Sequence, residues 1–265
     1  MNGSRGTALI TGATAGLGAS FARQLADQGY DLVLVARDEQ RLTAVSGAWG
    51  KEYGVEVVPI AADLTTDEGC AIVEERLRST RAPVDILVNN AGISLNTPFV
   101  RSTAEDEARL LHLNVHAVMR LTLAVLPVML SRGHGAVINV SSVSGFAAVM
   151  PGSTYPASKA WVTNFSESVA HSVRRKGVRV MALCPGYTRT EFHQRAGIDM
   201  SKTPQWAWLD ADAVVRDALR DLRRGKLVSV PDWKYKLVVF ALRHLPRRVL
   251  SVAARDTRGR ERARH

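Results

Sequence analysis

Tyr155-Pro-Ala-Ser-Lys159 puts a phenol and an ammonium four residues apart, a spacing that shares one face of a helix. An unperturbed phenol titrates near about 10. A neighbouring cation favours its anionic form and brings its proton closer to exchange at working pH. Ser142, on a separate element, adds a second hydroxyl that could reach the same oxygen. Together these groups could place a proton on a carbonyl oxygen or take one from an alcohol. A Tyr-Lys pair alone is also what an ordinary solvated helix carries. Its meaning therefore depends on what the rest of the chain brings beside it.

The N-terminal segment offers a partner. Thr7–Thr11 reads as a buried strand, followed by Gly12-Ala-Thr14-Ala15-Gly16-Leu17-Gly18 and a helical pattern through Phe21, Leu25 and Ala26. Strand, Gly-rich turn and helix present backbone N–H groups and a helix N-terminus to a phosphate. The spacing is not G-x-G-x-x-G, and no Lys-Ser or Lys-Thr follows as in a Walker A loop. The next strand, 31–36, ends in Arg37, where a dinucleotide site reads the adenosine ribose. An acid there suits a bare 2′-hydroxyl and an arginine suits a 2′-phosphate. Arg37 followed by Asp38 thus predicts NADP(H), with NADPH favoured over NADH.

With these segments the chain resembles the short-chain dehydrogenase/reductase family in its single-domain form. Thr11–Gly18 resembles the family's cofactor-binding turn, and Asp63-Leu64 the pair that holds the adenine. Asn89-Asn90-Ala91-Gly92 resembles its structural and cofactor-side motif, and Pro185-Gly186 with Thr188 and Thr190 the segment covering the nicotinamide. Asn114, Ser142, Tyr155 and Lys159 resemble the catalytic four. The likeness runs from about residue 7 to about 192, in the family's order. It implies that Tyr155 is the acid/base, that Ser142 bonds the substrate oxygen, and that Lys159 lowers the Tyr155 pKa and holds the nicotinamide ribose. It further implies that Asn114 holds a water linking Lys159 to solvent. The remaining seventy or so residues, which normally set the substrate, carry no family-wide motif.

Composition agrees with a globular α/β chain: 265 residues, 46% apolar. Strands are expected near 7–11, 31–36, 55–60, 84–88, 135–140, 178–183 and 227–230. Helices are expected near 17–28, 38–53, 67–80, 105–131, 156–176 and 211–224. Continuous apolar strands such as Ile86–Val88 and Ala136–Ile138 belong to a parallel sheet covered on both faces. The expected fold is a Rossmann-like, doubly wound, seven-stranded parallel sheet in a single domain over 1–265. Ligands bind beyond the carboxyl ends of such strands, where the Gly-rich turn, Asn89–Gly92, Ser142 and Pro185-Gly186 all fall.

Cys70 and Cys184 are far apart and lack metal spacing, which argues against a disulfide framework. His112, His116 and His171 read as helix-surface or packing residues, and no metal is expected. Trp161, Phe165 and Val169 suit either core packing or a homodimer or homotetramer contact. The start lacks an apolar leader, which argues for a cytoplasmic enzyme. Residues 190–212, with Met200, Pro204, Trp206, Trp208 and Leu209, suit either a lid over an apolar substrate or a surface segment packed by its tryptophans.

Residues 234–265 form a basic extension holding much of the formal charge of +10. The extension suits weak peripheral contact with an anionic membrane, a partner subunit, or guidance of an acidic substrate. Pro246 must interrupt or bend any helix there. The apolar run Leu237–Leu242 is too short to span a bilayer. Three function classes follow. One is an NADPH-dependent reductase of an apolar ketone, 3-oxoacyl group or steroid-like substrate, interconverting carbonyl and secondary alcohol. Another is a catalytically silent nucleotide-binding protein, against which the intact catalytic set argues. The third is a nucleic-acid binder, for which net charge alone predicts no more than nonspecific contact.

Overall fold

A computed structural model describes residues 5–146, 153–198 and 203–244. Seven parallel strands form one sheet in the order β3-β2-β1-β4-β5-β6-β7. These are β1 (Thr7–Thr11), β2 (Asp31–Ala36), β3 (Val57–Ala61), β4 (Ile86–Asn89), β5 (Gly135–Val140), β6 (Val178–Leu183) and β7 (Val228–Ser229). The order reverses at β1/β4, so the crossovers before it and after it cover opposite faces. Leu9, Val33, Leu87, Val137 and Val180 point into one core. Ala8, Ile10, Leu34, Val88 and Ile138 point into the other. Each fully buried Leu or Ile contributes on the order of 1.5–3 kcal/mol relative to exposure. The two-sided apolar strands are thereby accounted for.

The helices are α1 (Gly16–Asp27), α2 (Glu39–Tyr53), α3 (Asp67–Arg78), α4 (Ala104–Leu111), α5 (Val118–Arg132), α6 (Tyr155–Val173), α7 (Phe192–Arg195), α8 (Ala211–Arg223) and α9 (Trp233–His244). Four of their N-termini are closed by side chains that local sequence supplies. Asp38 accepts from Arg41 N, Thr66 from Gly69 N, Thr103 from Asp106 N and Asp210 from Ala213 N.

The structure departs from the sequence expectation in three places. The helix expected over 105–131 is interrupted by a π-helical segment, His112–Ala117, between α4 and α5. That segment contains Asn114, whose amide satisfies the backbone of Ile93 rather than a neighbouring turn. β7 shortens to two residues because it pairs only through Val228 and Ser229, at the sheet edge. The C-terminal run forms α9, although its apolar stripe is not turned inward. Pro246, Met200 and the arginines from 247 onward lie outside the described residues, as do residues 147–152.

Ala104–Arg132 is long and apolar enough to cross a membrane by length and composition, and 56% of its most apolar window is buried inside the fold. Cys70 and Cys184 are both buried and free.

A polar ladder crosses the middle of the sheet. Asn89 Nδ2 donates to Thr122 Oγ1 (3.1 Å) and to Asn139 Oδ1 (2.9 Å), and Asn139 Nδ2 donates to Ser166 Oγ (3.0 Å). It ties α5, β4, β5 and α6 together just beneath the carboxyl ends of the strands. Asn139 is fully buried, so its truncation strands donors and acceptors on both sides. Asn139→Ala should destabilise the protein by about 2–4 kcal/mol in urea unfolding; a loss below about 1 kcal/mol would show that the ladder contributes little.

Candidate active site

Tyr155 is the first residue of α6, and the helix start is held from outside. The backbone N and the hydroxyl of Thr154 both donate to Glu107 Oε2, at 3.0 and 2.6 Å. Burial raises the Glu107 carboxyl, but these bonds outweigh it and leave the group below the usual carboxylate range. A carboxylate at a helix N-terminus also meets the positive end of the helix dipole. Pro156 in the first turn suits that position, where the missing N–H costs nothing. Glu107 carried no signal in the sequence, because its partner lies 47 residues away.

The Tyr155 hydroxyl hydrogen-bonds Ser142, while burial pushes its pKa up to about 12 and the Ser142 bond holds it back. Ser142 Oγ in turn accepts from Ser144 N at 3.1 Å. Lys159 lies one turn on, with Nζ 5.6 Å from the Tyr155 ring centroid, donating to Val140 O at 2.9 Å. Burial pulls its pKa down to about 8, and the Cys184 sulfur opposes that. The expected lowering of the Tyr155 pKa by Lys159 is thus not what dominates here. Desolvation acts on both groups, and it disfavours phenolate and ammonium alike.

Asn114 Oδ1 accepts from Ile93 N (2.9 Å), and its Nδ2 donates to Ile93 O (2.8 Å) and Ser158 Oγ (3.3 Å). A β-carbon on Gly92 would lie 3.1 Å from Asn114 Oδ1 and 3.5 Å from Lys159 Nζ. The bare glycine therefore leaves both groups facing one small gap.

Across the rim sits the Gly-rich turn. Asn90 stitches it to β4: Nδ2 donates to Thr11 O (2.9 Å) and Gly12 O (3.2 Å), and Thr11 Oγ1 accepts from the N of Asn90 and of Ala91. Ala15 is the N-cap of α1 and provides no side-chain cap, and the first turn carries no acid. Thr14 is buried beside it. Gly16 has φ +54°, and a β-carbon on it would meet Thr190 at 2.9 Å; one on Gly18 would lie 2.2 Å from Gly12 O. Leu17 packs on the core below. Orphan N–H groups at a helix end, open to close approach and free of competing carboxylates, fit a pyrophosphate.

Further along the rim, Arg37 is exposed at the end of β2 and the Asp38 carboxylate is committed to capping α2. Asp63 Oδ1 is held by Thr65 N and Oγ1, and Leu64 is buried beneath. Pro185 O accepts from Val143 N, and Thr188 Oγ1 donates to Gly186 O.

Residues that the sequence reading did not single out close this side. The Tyr235 ring lies against Gly186, where a β-carbon would meet it at 2.1 Å. Its hydroxyl accepts from Tyr187 N (3.0 Å) and donates to Ala207 O (2.7 Å). Arg41 bridges to Glu191 through both guanidinium ends (2.7 and 3.1 Å), and those bonds hold the Glu191 carboxyl down to about 2. Of the aromatic residues in 190–212, Trp208 packs near Tyr187 and under Arg189, and Trp206 is exposed. The ring of Phe192 approaches Tyr155 at 5.9 Å.

The Gly-rich turn thus meets Thr190, and Gly92 meets Asn114 and Lys159, beyond the carboxyl ends of the strands. The model of the family described as short chain dehydrogenase matches residues 6–200. The chain belongs to that family. It is, with the family, an NAD(P)-dependent oxidoreductase. The short-chain dehydrogenase from Sphingobium yanoikuyae, solved in complex with NADPH, is 40% identical, covering 91% of this chain and 94% of that one, with TM-score 0.83. A bulky-bulky ketone specific alcohol dehydrogenase from Comamonas testosteroni is 32% identical over 99% of this chain and 96% of its own, with TM-score 0.79. A very-long-chain 3-oxoacyl-CoA reductase from Bos taurus is 31% identical over 224 residues, 81% of this chain and 68% of that one.

A pH test follows from the buried ammonium of this family member. Lys159 has a pKa of about 8 in the fold against an ordinary 10.5. Below pH 8 it is charged in both states, so the fold bears the full cost of burying it. Between 8 and 10.5 only the unfolded chain keeps the proton, and native stability from this group rises with pH. Cofactor-free Lys159→Met should therefore be the more stable protein below pH 8, with its advantage shrinking up to 10.5. A stability difference that stays flat across that range in denaturant titrations would show that the ammonium is not desolvated.

Proposed function

We propose that this protein reduces an apolar ketone, a 3-oxoacyl group or a steroid-like ketone to a secondary alcohol with NADPH, and runs the reverse reaction with the oxidised cofactor. The observation that carries this reading is the buried Tyr155 hydroxyl on Ser142, with Lys159 one turn away and an open helix N-terminus across the same crevice.

NADPH, when bound, supplies the hydride. Tyr155 gives its proton to the substrate oxygen as charge develops there, and Ser142 donates a hydrogen bond to the same atom. The protonated phenol that burial favours is the form needed for reduction. Lys159 keeps a cation next to the developing phenolate and holds the nicotinamide ribose. Asn114, sharing the gap at Gly92 with Lys159, holds the water through which the proton is replaced. Gly12, Thr14, Ala15, Gly16, Leu17 and Gly18 cradle the pyrophosphate, Asp63 and Leu64 the adenine, and Asn90, Ala91 and Gly92 the nicotinamide side. Pro185, Gly186, Thr188 and Thr190 would close over the nicotinamide, and the described stretches 190–198 and 203–212 of the segment 190–212 would act as the lid.

The preference for NADPH rests on Arg37, which stands exposed where a 2′-phosphate would lie, while Asp38 is occupied by Arg41 N. The NADPH complex of the Sphingobium relative supports it. Apolar substrates are supported by the ketone and 3-oxoacyl specificities of the relatives and by Phe192 beside Tyr155.

A panel of ketones and acyl thioesters, followed by NADPH oxidation, tests the reading. Arg37→Ala should weaken NADPH binding roughly tenfold or more, the value of about 1.4 kcal/mol of charge-assisted contact, and leave NADH little changed. Tyr155→Phe should lose at least about a thousandfold in kcat, given the size of acid/base and oxyanion effects, with cofactor affinity preserved. Near-normal kcat in Tyr155→Phe would refute the mechanism.

We further propose a cytoplasmic homodimer or homotetramer with reversible contact to anionic membrane. Trp161 stacks on Phe165 at 4.6 Å along a groove with Ala160, Asn164 and Ser168 on the outer side of α6, which suits a subunit contact. On α9, Trp233, Leu237 and Phe240 fall at i, i+4 and i+7 and are all exposed. Tyr235 and Val239 face inward, and Lys234, Lys236 and Arg243 flank the stripe. An apolar stripe edged by cations is the pattern of a helix lying in a membrane interface. Leu237→Glu with Phe240→Glu should abolish co-sedimentation with anionic vesicles and leave mass by light scattering unchanged. A fall in mass would assign the stripe to a subunit contact instead.

A further inference from the structure

The two histidines of the π-helical segment have a third partner that sequence could not place beside them. Asp67, the first residue of α3, brings its carboxylate to His112 and His116. One ligand atom from each of the three lies within 4.8 Å of the others. His116 Nδ1 and His112 Nε2 are 3.3 Å apart, and His112 Nε2 is 3.8 Å from Asp67 Oδ1. The two imidazoles meet edge to face, with centroids 4.5 Å apart.

These distances have a chemical meaning. With zinc–nitrogen and zinc–oxygen bonds of about 2.0–2.2 Å, the edge of a tetrahedron is roughly 3.3–3.6 Å. The nitrogen–nitrogen separation is already such an edge, and the nitrogen–oxygen one is within a few tenths of an ångström of it. Asp67 is exposed at the start of its helix and can turn either oxygen inward. Without an ion, the 3.3 Å contact requires one ring to donate its proton to the other. An ion would take that proton's place.

Two imidazoles and one carboxylate suit Zn²⁺ and its first-row neighbours, whereas Mg²⁺ and Ca²⁺ prefer oxygen ligands. Arg120 Nη1 also bonds Asp67 Oδ1, at 2.6 Å. The same guanidinium is anchored through Nε to buried Glu74, which holds its pKa up. Arg120 is therefore fixed in place whether or not Asp67 leaves it. It can remain as the hydrogen-bond partner that orients a ligating carboxylate.

We propose that Asp67, His112 and His116 form a site for a zinc-class divalent ion with a fourth position open to water. The site lies outside the crevice. It ties the start of α3 to both ends of the segment that carries Asn114. Occupancy would pin the π-helical register from which Asn114 reaches Ile93.

The test uses the tag-free full chain, stripped with a chelator and titrated with Co²⁺ alone. One equivalent should give the visible d–d absorption of a tetrahedral centre, Zn²⁺ should remove it, and Mg²⁺ should not. Zn²⁺ should also raise the Tm. Asp67→Asn should weaken Co²⁺ at least tenfold, and His116→Gln, which keeps a side chain of similar size, should abolish the spectrum. His171→Gln should change nothing. Circular dichroism of each metal-free variant establishes folding, and His112→Gln serves if His116→Gln fails to fold. A folded wild type with no d–d band, or a band that persists in folded His116→Gln or His112→Gln, overturns the proposal.

Discussion

The constraint on which the rest depends is the burial of a parallel sheet on both faces. Every central strand must be apolar on both sides, so polar chemistry is driven out to the carboxyl ends of the strands. There the chain turns, and backbone groups that no longer pair within the sheet need partners. Asn90 supplies them between β1 and β4, and Asn114 supplies them at Ile93. The same turns carry the Gly-rich cradle, Ser142 and Pro185-Gly186. Fold and site are one arrangement seen from two ends.

Desolvation sets the electrostatics of the crevice. It pushes Tyr155 towards the neutral phenol and Lys159 towards the neutral amine, against the simple picture of a cation lowering its neighbour. A phenol that keeps its proton is poised as an acid, while a lysine near 8 still holds substantial charge at neutral pH. Both groups are fixed by bonds that do not belong to the reaction: Lys159 by Val140 O, and the start of α6 by Glu107. Preorganisation of this kind removes the need to reorient when charge develops.

On the C-terminal side, α9 serves two surfaces at once. Tyr235 seals the ground beneath Gly186 and ties Tyr187 to Ala207, while Trp233, Leu237 and Phe240 face outward. A contact made by the outer stripe would act directly on Tyr187 and Ala207, which Tyr235 holds. The Arg41–Glu191 bridge connects the opposite end of that segment to α2.

The sequence alone determined the seven apolar strands, their helical connections and the rim position of Tyr155, Lys159, Ser142 and the Gly-rich turn. These follow from continuous apolar runs, from the helical period of 3.6 and from short motifs, which are local. It did not determine the π-helical step at Asn114, because whether a helix slips register depends on what its side chains meet across the fold. Nor could it pair Thr154 with Glu107, Arg41 with Glu191, or Tyr235 with Gly186, separated by 47, 150 and 49 positions. Nor could it place Asp67, which arrives on another helix, beside His112 and His116, read from sequence as helix-surface or packing residues. Local order is written in neighbouring residues. Contacts and pKa shifts are decided by which distant groups tertiary packing brings together, and by how much water it removes from between them.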